Sequence, residues 1–165
     1  MKRKRLTDLV WRGMGSKLTL LIAPAGYGKT TVLSEWLVGL RKIKWPVAWV
    51  SLDRYDNDPI RFWGYILAAL QTIRPELDRT LLKTTKQNCA PGDCPLIAKL
   101  VQEIEAIPEH FSLVLDDYHE IRETEIHKAL AYLIEHLPAN AHLVIASRYT
   151  PPIPLARLRV QEQLV

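Results

Sequence analysis

Apolar residues along this chain fall into four short runs separated by helical patterns. The runs are residues 18–23, 47–52, 112–115 and 142–147, and each is nearly continuous in apolar side chains rather than alternating. Runs of that length and character predict strands buried on both faces. After the first run, Leu33, Trp36, Leu37 and Leu40 recur at i, i+3, i+4 and i+7, which lines one face of a helix. After the second, Asp58 and Pro59 supply an N-cap and a first-turn proline, and Trp63, Ile66, Leu67 and Leu70 form the stripe. Asp93 is the expected cap of a third helix that turns Leu96, Leu100, Val101 and Ile104 inward. A fourth carries Ile126, Leu130, Leu133, Ile134 and Leu137 and stops before Pro138.

Buried strands alternating with helices imply a mostly parallel sheet of four to five strands with helices on both faces, a three-layer α/β fold. Right-handed crossovers follow from the connections. Residues 79–95 lack a clear period and read as a loop, and residues 149–154, with three prolines, read as neither helix nor strand. Leu164 and Val165 are the expected start of a fifth strand. The division expected is a basic lead-in with a first helix over residues 1–17 and one domain over residues 18–165, truncated before its fifth strand or before a winged-helix extension.

Composition narrows the class. A chain of 165 residues with 48% hydrophobic and 24% charged residues has the mix of an ordinary folded domain, which excludes general disorder and collagen. Cys89 and Cys94 are too few for a disulfide framework, and one C-x4-C without a second pair is a poor zinc site. With no secretion signal, a reducing cytoplasm is expected. The net charge is +4, and Lys2, Arg3, Lys4 and Arg5 supply four of the basic residues, so the remainder is close to balanced. That tip reads as a solvated terminus rather than a nucleic-acid or lipid contact.

The sharpest local pattern is Ala23-Pro24-Ala25-Gly26-Tyr27-Gly28-Lys29-Thr30-Thr31. It fits the P-loop G-x-x-x-x-G-K-[ST], with alanine at the first glycine position, a strand before it and a helix after it. Small residues let successive N–H groups curl toward phosphate oxygens, and the helix N-terminus adds positive partial charge there. Lys29 is expected on the β- and γ-phosphates, the Thr30 hydroxyl on Mg²⁺, and Thr31 at the α-phosphate. The ligands implied are ATP or ADP with Mg²⁺. Such a loop needs an acidic partner at the end of a neighbouring strand, which Asp116 and Asp117 supply after residues 112–115. Asp116 is the expected metal ligand and Asp117 the group that orients or deprotonates the attacking water.

Arg148 directly follows the fourth run, where a parallel sheet opens its ligand crevice, and is placed to contact the γ-phosphate. Asp53 ends the second run either near the metal's water shell or as a turn cap. His119 reads as structural, and Trp36, Trp49 and Trp63 read as core.

Together these motifs resemble the ATP-binding domain of the large LuxR-family transcriptional regulators. The resemblance rests on residues 24–31 running into Glu35-Trp36, and on Ser51-Leu52-Asp53 with Asp56-Asn57-Asp58 and Arg61-Phe62. It rests also on Val114-Leu115-Asp116-Asp117-Tyr118-His119 and on Ser147-Arg148 with Pro151-Pro152 and residues 155–159. Those motifs span nearly the whole chain in order, and the final residues depart from the family pattern, with Val160-Gln161-Glu162 where small and basic residues are usual. The resemblance implies a STAND-type nucleotide switch that hydrolyses ATP slowly, rests with ADP and self-associates with ATP. It implies further that Asp117 assists hydrolysis, Arg148 senses the γ-phosphate and Arg5 lies near the base. The sensor and DNA-binding regions of that family have no counterpart in this sequence, so specific DNA binding by this chain is not expected. Neither is a membrane partner.

Two other readings stay open at this level. A small P-loop kinase fits the length, although residues 79–95 offer only Arg79, Lys83 and Lys86 for an acceptor lid. An interaction module that binds nucleotide without turnover fits the motifs as well. A nucleic-acid motor lacks the aromatic and basic platform it would need.

Overall fold

The computed structural model describes residue 8 and residues 11–78, 80–81, 94–162 and 164–165. Its strands are β1 (Leu18–Ile22), β2 (Val47–Ser51), β3 (Phe111–Asp116) and β4 (Ala141–Ser147). Its helices are α1 (Lys29–Lys42), α2 (Pro59–Gln71), α3 (Pro95–Glu105), α4 (Thr124–His136) and a short α5 (Ala156–Val160) that the sequence pattern does not announce. The strands form one parallel sheet in the order β1-β4-β3-β2. The expected α/β fold with a parallel sheet is therefore present, and each strand lies within one residue of its expected limits.

The order carries a correction. The acidic residues end β3, and β3 is not the neighbour of β1, because β4 lies between them. Chain order cannot reveal such an insertion, but burial reflects it. Every position of β3 and β4 is buried, whereas β1 and β2 each expose their last residue. Beyond β1, Leu164 makes a parallel bridge to Leu18, and the Leu20 N–H donates to the Val165 carbonyl at 2.8 Å. The fifth strand position is thus occupied where the sequence suggested.

Side-chain alternation along the strands sends residues to two cores. On one face Val114, Val144 and Ala146 meet Val32, Leu33, Trp36 and Leu40 of α1, and Trp11 of the lead-in packs against the same cluster. Gly39 permits that approach, since a Cβ there would lie 2.6 Å from Trp11 Cζ2. On the other face Ala48, Val50, Leu113, Leu115, Leu143 and Ile145 meet α2, α3 and α4 through residues such as Phe62, Trp63, Ile97 and Leu130. Each large apolar side chain so buried contributes roughly 1.5–3 kcal/mol.

The helix starts follow local chemistry. Asp58 caps α2 by accepting the Arg61 N–H at 2.9 Å, with Pro59 in the first turn. α3 opens instead on Cys94, which makes no side-chain cap, while the expected cap Asp93 lies outside the described residues. Cys94 is buried and disulfide-bonded, a link the cysteine count does not anticipate. The expected loop at 79–95 also lies largely outside the described residues. Among the described residues, no helix is long and apolar enough to cross a membrane.

Candidate functional site

The β1–α1 loop requires glycine at two points. Gly26 has φ 80° and Gly28 φ 79°, the left-handed region that costs other residues energy. At neither position would a Cβ strike a neighbour closely, so the demand is conformational rather than steric. Ala23 has no positive φ, and alanine therefore replaces the motif's first glycine without strain. Its N–H donates to the Ser147 carbonyl at 3.2 Å, which ties the start of the loop to the end of β4. Gly28 stands at the N-cap of α1 with no side chain to cap it, and no acidic residue enters the first turn. The N–H groups at this helix end are left for an anion.

Lys29 is 9% exposed, and its Nζ donates to the Ala23 carbonyl at 2.5 Å and the Pro24 carbonyl at 3.2 Å. The ammonium is thus held against the loop's own backbone. Thr30 and Thr31 are both exposed at the start of α1.

Asp116, the last residue of β3, is 4% exposed and accepts the Asp117 N–H at 2.9 Å through Oδ1. Burial pushes its carboxyl above the usual carboxylate range. The charge of Asp117 adds to that rise, while the Asp117 N–H and the Lys29 charge act against it. Asp117 turns the chain with φ 55° and ψ 36°, left-handed and not a glycine, and opens a 3-10 turn over Tyr118–Glu120. Its carboxylate is about half exposed, at 47%.

Arg148 follows β4 and is exposed at the same edge of the sheet, where the register pairs Ile22 with Ser147 and Ser51 with Asp116. That edge therefore gathers Lys29, Asp116, Asp117 and Arg148 through three strands and one loop. Asp53 is used otherwise. Its Oδ1 accepts the Tyr55 N–H at 2.7 Å, and its own N–H donates to Asp56 Oδ2 at 2.8 Å, a reciprocal cap of the turn Arg54–Asn57. Arg5 lies outside the described residues.

The donor set suits Mg²⁺, which binds through one or two carboxylates together with substrate phosphates. One buried carboxylate, Asp116, stands at the end of β3 with the Lys29 charge acting on it, and the exposed Thr30 stands at the start of α1. Among the described residues no cluster of three acidic, histidine or cysteine side chains forms a cation cage, so phosphate oxygens and water would complete the shell.

Two residues matter more than their sequence context suggested. Asn57 joins the turns after β2 and β3, its Nδ2 donating to the Glu120 carbonyl at 2.9 Å and its Oδ1 accepting the Arg122 N–H at 2.6 Å. It stands inside the Asp56-Asn57-Asp58 motif, yet nothing local shows a partner 63 residues away. His119 is buried with neither ring nitrogen hydrogen-bonded, which a structural histidine does not require.

No family model matches the chain. It is 36% identical over 99% of its length to the HTH-type transcriptional regulator MalT of Cronobacter sakazakii. The identities to the MalT regulators of Vibrio cholerae and Serratia proteamaculans are 35% and 38%, again over 99% of the chain. In each case the chain spans 18% of the relative's length. Among solved structures it is similar to a chain of Drosophila ORC bound to AT-rich DNA and Cdc6, with a TM-score of 0.58 and 14% identity over 99% of this chain and 55% of that one. A chain of Drosophila ORC bound to DNA gives 0.54 and 14%, covering 99% of this chain and 87% of that one. Nearly the whole chain is thus similar in sequence to one part of the MalT regulators, as its motifs led us to expect, and its fold is the parallel α/β fold of these ORC chains.

Proposed function

We propose that the chain is an ATP-binding switch domain with slow ATP hydrolysis, acting within a signal-responsive transcriptional regulator. The observation that carries this reading is the glycine-turned loop that delivers Lys29 and the open end of α1 to the sheet edge where Asp116 and Asp117 stand. In this reading the N–H groups from Gly26 to Thr31 and the Lys29 ammonium hold the phosphates. Thr30 and Asp116 hold Mg²⁺, which when bound would draw negative charge from the phosphate oxygens.

Asp117 orients a water in line with the γ-phosphorus and accepts its proton. The water oxygen bonds to that phosphorus as the bond to the β–γ bridging oxygen breaks, releasing phosphate and ADP. Arg148 reaches the γ-phosphate and so separates ATP from ADP. Arg5 lies near the base, and ATP favours a self-associating state of the cytoplasmic regulator. The similarity to the MalT regulators supports the regulatory part of the reading.

Calorimetric titration of the purified chain with ATP and with ADP, Mg²⁺ present, tests it. Micromolar binding that prefers ATP, with the preference narrowed in Arg148→Ala, is the expected result. A folded sample that takes up neither nucleotide overturns the reading.

A further inference from the structure

His119 is the most unusual buried group outside the loop. Its side chain is 3% exposed, yet both ring nitrogens lack a hydrogen bond. Nδ1 lies 3.8 Å from Asp117 Oδ1 and Nε2 lies 3.3 Å from Glu120 Oε1, and neither contact has hydrogen-bonding geometry. The ring meets Tyr149 edge-on at 5.8 Å between centroids, one residue beyond Arg148. One side borders a cavity of about 1000 Å³ that Tyr149, His127 and Ile121 also line. A buried imidazole whose ring nitrogens make no hydrogen bond costs free energy, and a phenyl ring would fill the same space without that cost.

Asp117 sits on a left-handed residue between β3 and the 3-10 turn, and its half-exposed carboxylate has no hydrogen bond among the described residues to fix its direction. Its Oδ1 already stands 3.8 Å from His119 Nδ1, just beyond hydrogen-bonding reach. Resting on the proposed hydrolysis, we infer that His119 is a positioning residue. Its Nδ1–H takes the Asp117 carboxylate when ATP is bound and aims the other oxygen at the attacking water. The Tyr149 contact makes the ring's place depend on the segment that carries Arg148, so γ-phosphate contact and alignment of the base are linked through one side chain.

The test is single-turnover ATP hydrolysis by the full chain, with ATP affinity measured separately for each variant. His119→Phe keeps the packing and removes both nitrogens. Turnover is expected to fall roughly tenfold to a hundredfold, the scale of a misplaced catalytic group, with affinity unchanged. His119→Asn places an amide N–H near the position of Nδ1 and is expected to recover most of the rate. His119→Gln, which places it near Nε2, is not. Wild-type turnover in His119→Phe, or equal loss in Phe and Asn variants that both bind ATP, overturns the inference and leaves the ATP site standing. A wild-type chain that binds ATP and never turns it over overturns the inference together with the role of Asp117. One that binds no nucleotide overturns the proposed function itself.

Discussion

The Lys29 ammonium donates to the carbonyl of Ala23, six residues earlier and just past the end of β1. The cation that we propose meets phosphate is therefore held in place by the loop's own backbone, and on that reading binding exchanges one set of oxygens for another. Lys29→Met keeps the aliphatic stem and removes the charge. We expect ATP affinity to fall by about a hundredfold, in line with up to ~3 kcal/mol for a hydrogen bond to a charged group. The melting temperature should change little, because the lost bonds to Ala23 and Pro24 are offset by no longer burying an ammonium. Calorimetry and a thermal melt on one sample check both halves, and unchanged affinity would remove Lys29 from the site.

Asp117 carries its conformation at a cost. A non-glycine residue at φ 55° stores roughly 1–2 kcal/mol, though aspartate bears this better than most. Asp117→Gly should therefore leave the fold as stable or more so, while turnover should fall by about a hundredfold or more if the proposed general base is lost with it. Asp117→Asn keeps the side chain's shape and should bind ATP normally with the same loss of rate. If either variant loses binding as well, the carboxylate is a metal ligand and the division of roles between Asp116 and Asp117 is wrong.

Much of this arrangement was legible because it is local. Four apolar runs, a capped proline helix and a loop needing two positive φ angles are each written in consecutive residues, from Leu18 to Lys29 or from Asp58 to Leu70. The insertion of β4 between β1 and β3 was not legible, since it depends on how four helices share two faces of a sheet. The same holds for Asn57, whose partners lie beyond the next strand, and for His119, whose oddity is a missing hydrogen bond. A sequence displays donors and acceptors but not which of them fail to meet.

Asp116 sets stability against function. Its folded carboxyl is raised above the ordinary value of 3.8, chiefly by burial. A raised carboxyl contributes stability that is full below its unfolded value and lost as pH rises through the folded one. At neutral pH the charged side chain therefore works against the fold. Asp116→Asn removes that penalty, so its melting temperature at pH 7 should exceed the wild type's and the difference should vanish below pH ~4. Mg²⁺-dependent ATP affinity should fall in the same variant, measured as the ratio of binding with and without the metal. A variant that melts lower at pH 7 would mean that the amide disturbs the turn more than the charge does.

The lead-in and the sheet are joined by a histidine that must stay neutral. His142 on β4 places Nδ1 2.8 Å from the Ser16 carbonyl and Nε2 3.2 Å from Thr19 Oγ1. The carbonyl can only accept, so Nδ1 carries the proton and Nε2 accepts from the threonine hydroxyl. Burial lowers the imidazole below its usual 6.5 despite the Ser16 bond, and burial lowers His127 as well, against the pull of Glu123. Well above pH ~6.5 both histidines are neutral folded or unfolded, and their contribution is complete. As pH falls the unfolded chain takes up protons first, so stability is lost down to the folded values and then levels. Each group adds a slope of at most ~1.4 kcal/mol per pH unit in that window. The melting temperature should drop between pH 7 and pH 5, and His142→Asn, which keeps a donor for Ser16 but does not titrate, should flatten the drop. An identical pH profile in that variant would show that His142 protonates as readily in the fold as outside it.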